Sequence, residues 1–318
     1  MKQYGFGVDL GGTTCKIGLF QTDGVLLEKW EIPTVVSDGG KYIITDIATA
    51  IQKKMTEKSI PGDYVQGIGI GVPGAVNEDG IVNRCVNLGW NIVDVSRMLS
   101  SIIHLPVRVA NDANIAALGE AWMGAGQYYH SIVMITLGTG VGSGIILNGK
   151  IWNGRTGAAG EIGHIRVNRQ EALLCTCGNK GCLEQYASAT GIVRMAKKRL
   201  SENNTQSQNT QSQISGLEKL TAKDVFDSAR DGDALAGEVV KEIGVFLGGA
   251  IGTVCNVINP DAVLIGGGVS KAGQILLDII REEFLHSVFH ACRETPILLA
   301  SLGNDAGIYG GVKLILDD

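Results

Sequence analysis

Three cysteines fall within eight residues, Cys175, Cys177 and Cys182, in the run CTCGNKGC. Thiolates this close converge on one ion, and a tetrahedral Zn²⁺ needs a fourth donor. His164, eleven residues upstream, is the best candidate. The spacing therefore predicts a closed, structural Zn²⁺ site made by His164, Cys175, Cys177 and Cys182. A histidine that binds metal through one ring nitrogen keeps the other facing outward in a fixed tautomer, where it can touch a substrate. Glu184 lies two residues past Cys182 and would be positioned by the same metal. Glu161 and His164 stand three residues apart and share a face on a helical turn. Such a pair suits the hydroxyls of a polyol, or is an ordinary surface turn.

Two glycine-threonine turns come next, DLGGTT (9–14) and LGTGVGSG (137–144). Phosphate oxygens need several N–H donors aimed at one place, and glycine lets the backbone approach. Either turn alone can be a plain hairpin. Together they repeat: Val8-Asp9-Leu10-Gly11-Gly12-Thr13 resembles Ile135-Thr136-Leu137-Gly138-Thr139-Gly140, about 127 residues on. Asp9 adds a carboxylate that could hold Mg²⁺ through water. Asn111-Asp112 sits where a strand meets a helix. It is either an ordinary cap or a carboxylate that the helix N-terminus keeps ionised and able to take a hydroxyl proton.

These residues need elements to carry them. The chain has 318 residues, enough for about two domains. Apolar alternation predicts strands on both sides of Gly11–Thr14, over 65–72 and at Val107–Ala110. Helices are expected at 42–58, 111–122, 221–231 and 234–258, with a strand at Ala262–Ile265 and a final helix at 308–316 that could close back onto the N-terminal half. Two similar α/β halves would leave a cleft, where small ligands usually bind. The polar run 201–216 reads as a solvated loop or disordered insertion. Gly144–Lys150 nearly fits a P-loop but ends in Ile151 and is strand-like, so it is rejected.

A net charge of −5 shows none of the basic excess that nucleic-acid or membrane-surface binding would require. Asp9 interrupts the only apolar stretch near the N-terminus, so no secretion signal is expected. The uncharged run Ile243–Pro260 reads as a buried helix rather than a membrane span. A cytoplasmic protein follows as the expectation, with the four scattered cysteines as core residues.

Taken together the motifs resemble the ROK family of repressors and sugar kinases. The residues that carry the resemblance are DLGGT (9–13), GVPG (71–74), NLGW (87–90), NDAN (111–114), LGTGVGSG, GEIGH (160–164), CTCGNKGCLE (175–184) and GGGV (266–269). NLGW and ASATGI (187–192) are most similar to bacterial glucokinases of that family. The resemblance implies an actin-like/RNase H-like ATPase fold, two similar α/β domains with ATP in an interdomain cleft. It places a small domain at 1–115, completed by residues 305–318, and a larger one at 116–304. It implies that Asp112 is the base and that Asn111, Asp112, Glu161, His164 and Glu184 hold a hexose, most simply glucose. Asp9, Gly11, Gly12, Thr13, Thr14, Gly138, Thr139 and Gly140 would meet the phosphates and Mg²⁺, with Gly267 and Gly268 near the adenosine. Zn²⁺ would sit on His164, Cys175, Cys177 and Cys182, and the chain would form a dimer or tetramer. One departure is Ser143, where relatives often have Gly; little effect is expected. Other hexoses, among them N-acetylglucosamine, N-acetylmannosamine and fructose, stay open as acceptors. A sugar-responsive repressor would need an N-terminal helix-turn-helix, whereas the first strand is expected near Tyr4.

Overall fold

The computed structural model describes residues 2–205 and 212–317. They fall into two compact units, one of residues 1–132, 144–160 and 301–318, the other of residues 133–143 and 161–300.

The first unit is built on strands β1 (Tyr4–Leu10), β2 (Thr14–Gln21), β3 (Leu26–Pro33), β4 (Val65–Val72) and β8 (Val107–Asn111), in the order β3-β2-β1-β4-β8. β1, β2 and β3 pair antiparallel, and β4 and β8 add in parallel. Alternation sends Phe6, Val8, Ile17, Leu19, Ile68 and Ile70 into the core. There they meet helices α1 (Ile43–Glu57) and α2 (Val95–Ile103). A small sheet of β5 (Ala75–Val76), β6 (Ile81–Cys85) and β7 (Trp90–Asp94) flanks them.

The other face of β1 and β4 carries glycine, and the reason is steric. A Cβ on Gly7 would lie 1.8 Å from the carbonyl oxygen of Ile308, and one on Gly69 would lie 1.7 Å from that of Gly311. Backbone packs on backbone here, which accounts for part of the excess of glycine, 45 residues of the chain. The helix received is α8 (Ala306–Leu316), the expected return of the C-terminal segment. Beside it lies α3 (Asp112–Met123).

The second five-stranded sheet repeats the first in strand order. It runs β11 (Lys150–Ile151), β10 (Val141–Leu147), β9 (Ile132–Leu137), β12 (Ala262–Gly266) and β13 (Ile297–Leu299). The internal repeat read from the sequence is thus a repeat of topology. Helices α4 (Ala189–Thr205), α5 (Ala222–Arg230), α6 (Ala234–Ile258) and α7 (Gln274–Ser287) belong to the second unit. The P-loop look-alike is the hairpin from β10 to β11, turning at Asn148 and Gly149 with positive φ and no helix after it.

The reading of 201–216 as one solvated insertion needs correction where it is described. Helix α4 continues through Thr205, and beyond residues 206–211, which lie outside the described residues, Ser212 and Ile214 are buried. Asp233 accepts hydrogen bonds from Ser212 Oγ (2.8 Å) and Gln213 N (2.5 Å). One carboxylate therefore draws polar residues inward, an effect invisible to composition. The run Ile243–Pro260 falls mostly in buried α6, and no described helix is long and apolar enough to cross a membrane.

Candidate active site

In the first unit, Gly11, Gly12 and Thr13 connect β1 to β2, closed by a Gly11 N to Thr14 O hydrogen bond of 3.0 Å. Thr34 pins the turn, its hydroxyl donating to Gly11 O (2.8 Å) and its N–H to Thr13 O (2.9 Å). Two carbonyl oxygens are thereby occupied, which favours an anion at the exposed Gly12-Thr13 tip. Asp9 sits one residue before the end of β1, against the first turn of α8, where Gly307 leaves it room. Burial holds its carboxyl above the usual carboxylate range, opposed by Lys16, its cross-strand partner.

Asn111 ends β8 and caps α3, its Oδ1 accepting from Ala113 N (2.9 Å) and Asn114 N (3.1 Å). Its Nδ2 donates to Gly74 O at 3.0 Å. The side chain is thus largely committed to architecture, with one amide hydrogen left over for a ligand. Asp112 follows as the first helical residue and accepts from Ala113 N at 2.9 Å. Burial, opposed by the Ala113 N–H and reinforced by the charge of Asp9, pushes its carboxyl up to about 6. A carboxylate with that value is ionised at neutral pH yet basic enough to receive a proton, the compromise that general base catalysis favours.

In the second unit, Gly138, Thr139 and Gly140 connect β9 to β10, closed by Gly138 N to Gly140 O at 2.9 Å. Pinning is again by one N–H and one hydroxyl: Ala189 N to Gly138 O and Thr190 Oγ1 to Thr139 O, both 2.8 Å.

The ligand atoms of His164, Cys175, Cys177 and Cys182 all lie within 4.8 Å of one another. Cys177 Sγ and Cys182 Sγ are 3.7 Å apart, as are Cys175 Sγ and His164 Nδ1. A tetrahedral Zn²⁺ with Zn–S bonds of about 2.3 Å implies ligand edges of roughly 3.5–3.8 Å; the two 3.7 Å contacts match that, and a Cys₃His donor set is the chemistry such an ion takes. The Asn179 backbone N–H beside Cys177 holds that thiol below its ordinary value. His164 turns Nδ1 toward Cys175, while its Nε2 lies 3.9 Å from Glu161 Oε2. Glu161 and His164 belong to the 3₁₀ turn Ile162–His164 and its leading residue, so they do share a face.

That turn is fastened by Ser143. Its buried hydroxyl accepts from Ile162 N at 3.2 Å. The expectation that Ser143 matters little did not foresee this bond; only the fold brings residues 143 and 162 together. Glu184 heads the one-turn helix Glu184–Ala187, its Oε2 accepting from Val141 N and its Oε1 from Thr176 Oγ1, both 3.0 Å.

Gly267 and Gly268 follow β12. Gly267 has φ of +83° and no space for a side chain, since an added Cβ would lie 2.5 Å from Leu137 O. Gly268 opens onto a cavity of about 330 Å³ that also involves Ala189, Thr221, Lys223, Phe226 and Arg230. Thr221 begins α5 with a capping box to Asp224. None of the α5 residues was singled out in the sequence; their capping signature was the available cue.

The repeated sheet, the paired turns and the Cys₃His cluster define a class. The ROK family profile matches residues 5–318, and the chain belongs to that family. It is 45% identical over 311 residues to a glucokinase of Halalkalibacterium halodurans, covering 97% of this chain and 94% of that one. A crystal structure of a ROK family glucokinase from Streptomyces griseus, in complex with glucose and AMPPNP, superposes with a TM-score of 0.76 at 34% identity, covering 98% of both chains. A ROK family transcriptional regulator superposes with a TM-score of 0.85 at 29% identity, and the match spans 98% of this chain and 77% of the regulator.

Proposed function

We propose that this chain is an ATP-dependent glucokinase. The acceptor is glucose, as the glucokinase relative and the glucose-bound neighbour support, and the donor is ATP, for which AMPPNP is the analogue in that neighbour. Asp112 takes the proton of the sugar's 6-hydroxyl as that oxygen forms a bond to the γ-phosphorus and the bond to ADP breaks. The observation that carries the reading is the position of the Asp112 carboxylate, half-buried at the head of α3 beside its Asn111 cap and accepting from Ala113 N.

Asn111, Glu161, His164 and Glu184 are the proposed partners of the other sugar hydroxyls. Gly11, Gly12, Thr13 and Thr14 and the Gly138-Thr139-Gly140 turn are proposed to hold phosphates, and the cavity at Gly268, next to Gly267, the adenosine. Asp9 would hold Mg²⁺ through water, and the metal would offset charge on the transferring phosphoryl group. Zn²⁺ on His164, Cys175, Cys177 and Cys182 would be structural, fixing the orientation of the imidazole. A cytoplasmic homo-oligomer completes the proposal.

A coupled ADP-release assay across glucose, mannose, fructose, N-acetylglucosamine and N-acetylmannosamine tests it. Glucose should give the highest kcat/KM. A clear preference for another sugar would reassign the acceptor, and no ADP release with any sugar would refute the kinase.

A further inference from the structure

We infer that Thr176, the residue between the first two metal-binding cysteines, is a positioning residue for sugar binding, acting through Glu184. The inference rests on the reading of Glu184 as a sugar ligand.

Glu184 is held at both ends. Its Oε2 accepts from the N–H of Val141, the first residue after the Gly138–Gly140 turn. Its Oε1 accepts from the Thr176 hydroxyl at 3.0 Å and lies 3.8 Å from Cys175 Sγ. The Thr176 hydroxyl is the oxygen donor that holds this end of the carboxylate. The same hydroxyl lies 3.8 Å from Cys175 Sγ, a longer and weaker contact.

A carboxylate has about four acceptor positions. Two are used by Val141 and Thr176, which leaves two for sugar hydroxyls. Glu184 is only half-buried and so presents part of its surface to solvent. Without Thr176 the carboxylate would still be tethered at Val141 but free to rotate about that contact. Ordering it again would then cost binding energy each time a sugar arrives. Thr176 itself is exposed, so its replacement does not open a cavity in the core.

The test compares wild type, Thr176→Val and Thr176→Ser, all zinc-loaded, by steady-state kinetics, glucose calorimetry and elemental analysis. Thr176→Val, nearly isosteric, should raise both the glucose KM and the glucose Kd roughly 5–10-fold, the effect of one ordinary solvent-exposed hydrogen bond lost from the carboxylate's support. The ATP KM and the zinc content should stay at wild-type values, and Thr176→Ser should restore glucose binding. Unchanged glucose affinity in Thr176→Val overturns the inference, as does loss of zinc, which would make the residue part of the metal site only. Should the wild type bind glucose without phosphorylating it, the kinase reading fails while the calorimetric comparison still decides the role of Thr176. Absence of glucose binding in the wild type overturns both.

Discussion

The two glycine-threonine turns occupy the same place in two sheets of the same strand order, yet they are furnished differently. Both have two carbonyls pinned by one N–H and one threonine hydroxyl: Thr34 supplies both in the first, Ala189 and Thr190 in the second. Around the first turn lie the charged groups, Asp9 and Asp112, held partly out of water so that their carboxyls are raised. Around the second lie the Cys₃His cluster and Glu184, whose Oε2 accepts from the N–H of Val141 in the turn's exit strand. At the position of Asp9 the second copy has Thr136. In the proposed function, duplication of a backbone bend would supply the phosphate geometry twice, with reactivity added to one copy and rigidity to the other.

If that division of labour holds, variants near the first turn should strike turnover, and those near the second should strike affinity, metal content and stability. The largest effect is expected for Asp112→Asn, a fall in kcat of at least ~10²-fold with glucose affinity largely kept. Near-wild-type turnover would remove Asp112 as the base. The wild-type rate should fall as pH drops through about 6, where Asp112 takes up a proton. The same group bears on stability with a definite sign. Its folded value lies above the unfolded one, so the folded state binds the proton more tightly and gains from Asp112 as pH falls from 6 toward 4. At pH 7.5, where the buried charge is unfavourable, Asp112→Asn should therefore raise Tm in the absence of ligands; a lowered Tm would show that the charge is stabilised after all.

Next in size, Cys177→Ser should reduce metal from about one Zn²⁺ per chain to a small fraction and lower Tm, because metal binding is part of folding free energy. Full metal retention would mean that three donors suffice. A paired substitution contrasts the turns directly. An added Cβ at Gly140 would lie 2.4 Å from Glu184 Oε2, whereas at Gly12 the nearest atoms, on Asn87, are 3.8 Å away. Gly140→Ala should cost about 1–3 kcal/mol in denaturant unfolding, and Gly12→Ala should stay within ~0.5 kcal/mol. Equal costs would erase the distinction. Ser143→Ala should fall between those two, at about 1 kcal/mol from the lost acceptor of the Ile162 N–H.

Signals carried by neighbours in sequence were legible. Leu10 to Cys15 announces its hairpin, Asn111 its cap, and Cys175 to Cys182 its cysteine cluster, because each is closed by partners a few residues away. His164 could be added since eleven residues of chain reach easily across one site. What sequence reasoning missed depends on distant partners. The roles of Ser143, Thr176 and Gly74 follow from residues 19, 8 and 37 positions away in the chain. Burial of Ile214 depends on Asp233 drawing its polar neighbours inward. Strand β3 was within reach, for its half-buried alternation is regular along its whole length. The small sheet β5-β6-β7 was not, since strands of two to five residues leave too little pattern to read.

The close seat of α8 on Gly7 and Gly69 has a consequence for biosynthesis. A ribosome makes β1 first and the helix that covers its glycine face only after nearly all the rest of the chain has emerged. Until then the nascent sheet carries an uncovered strip of bare backbone. The N-terminal sheet therefore gains this layer only once residues 306–316 have been translated.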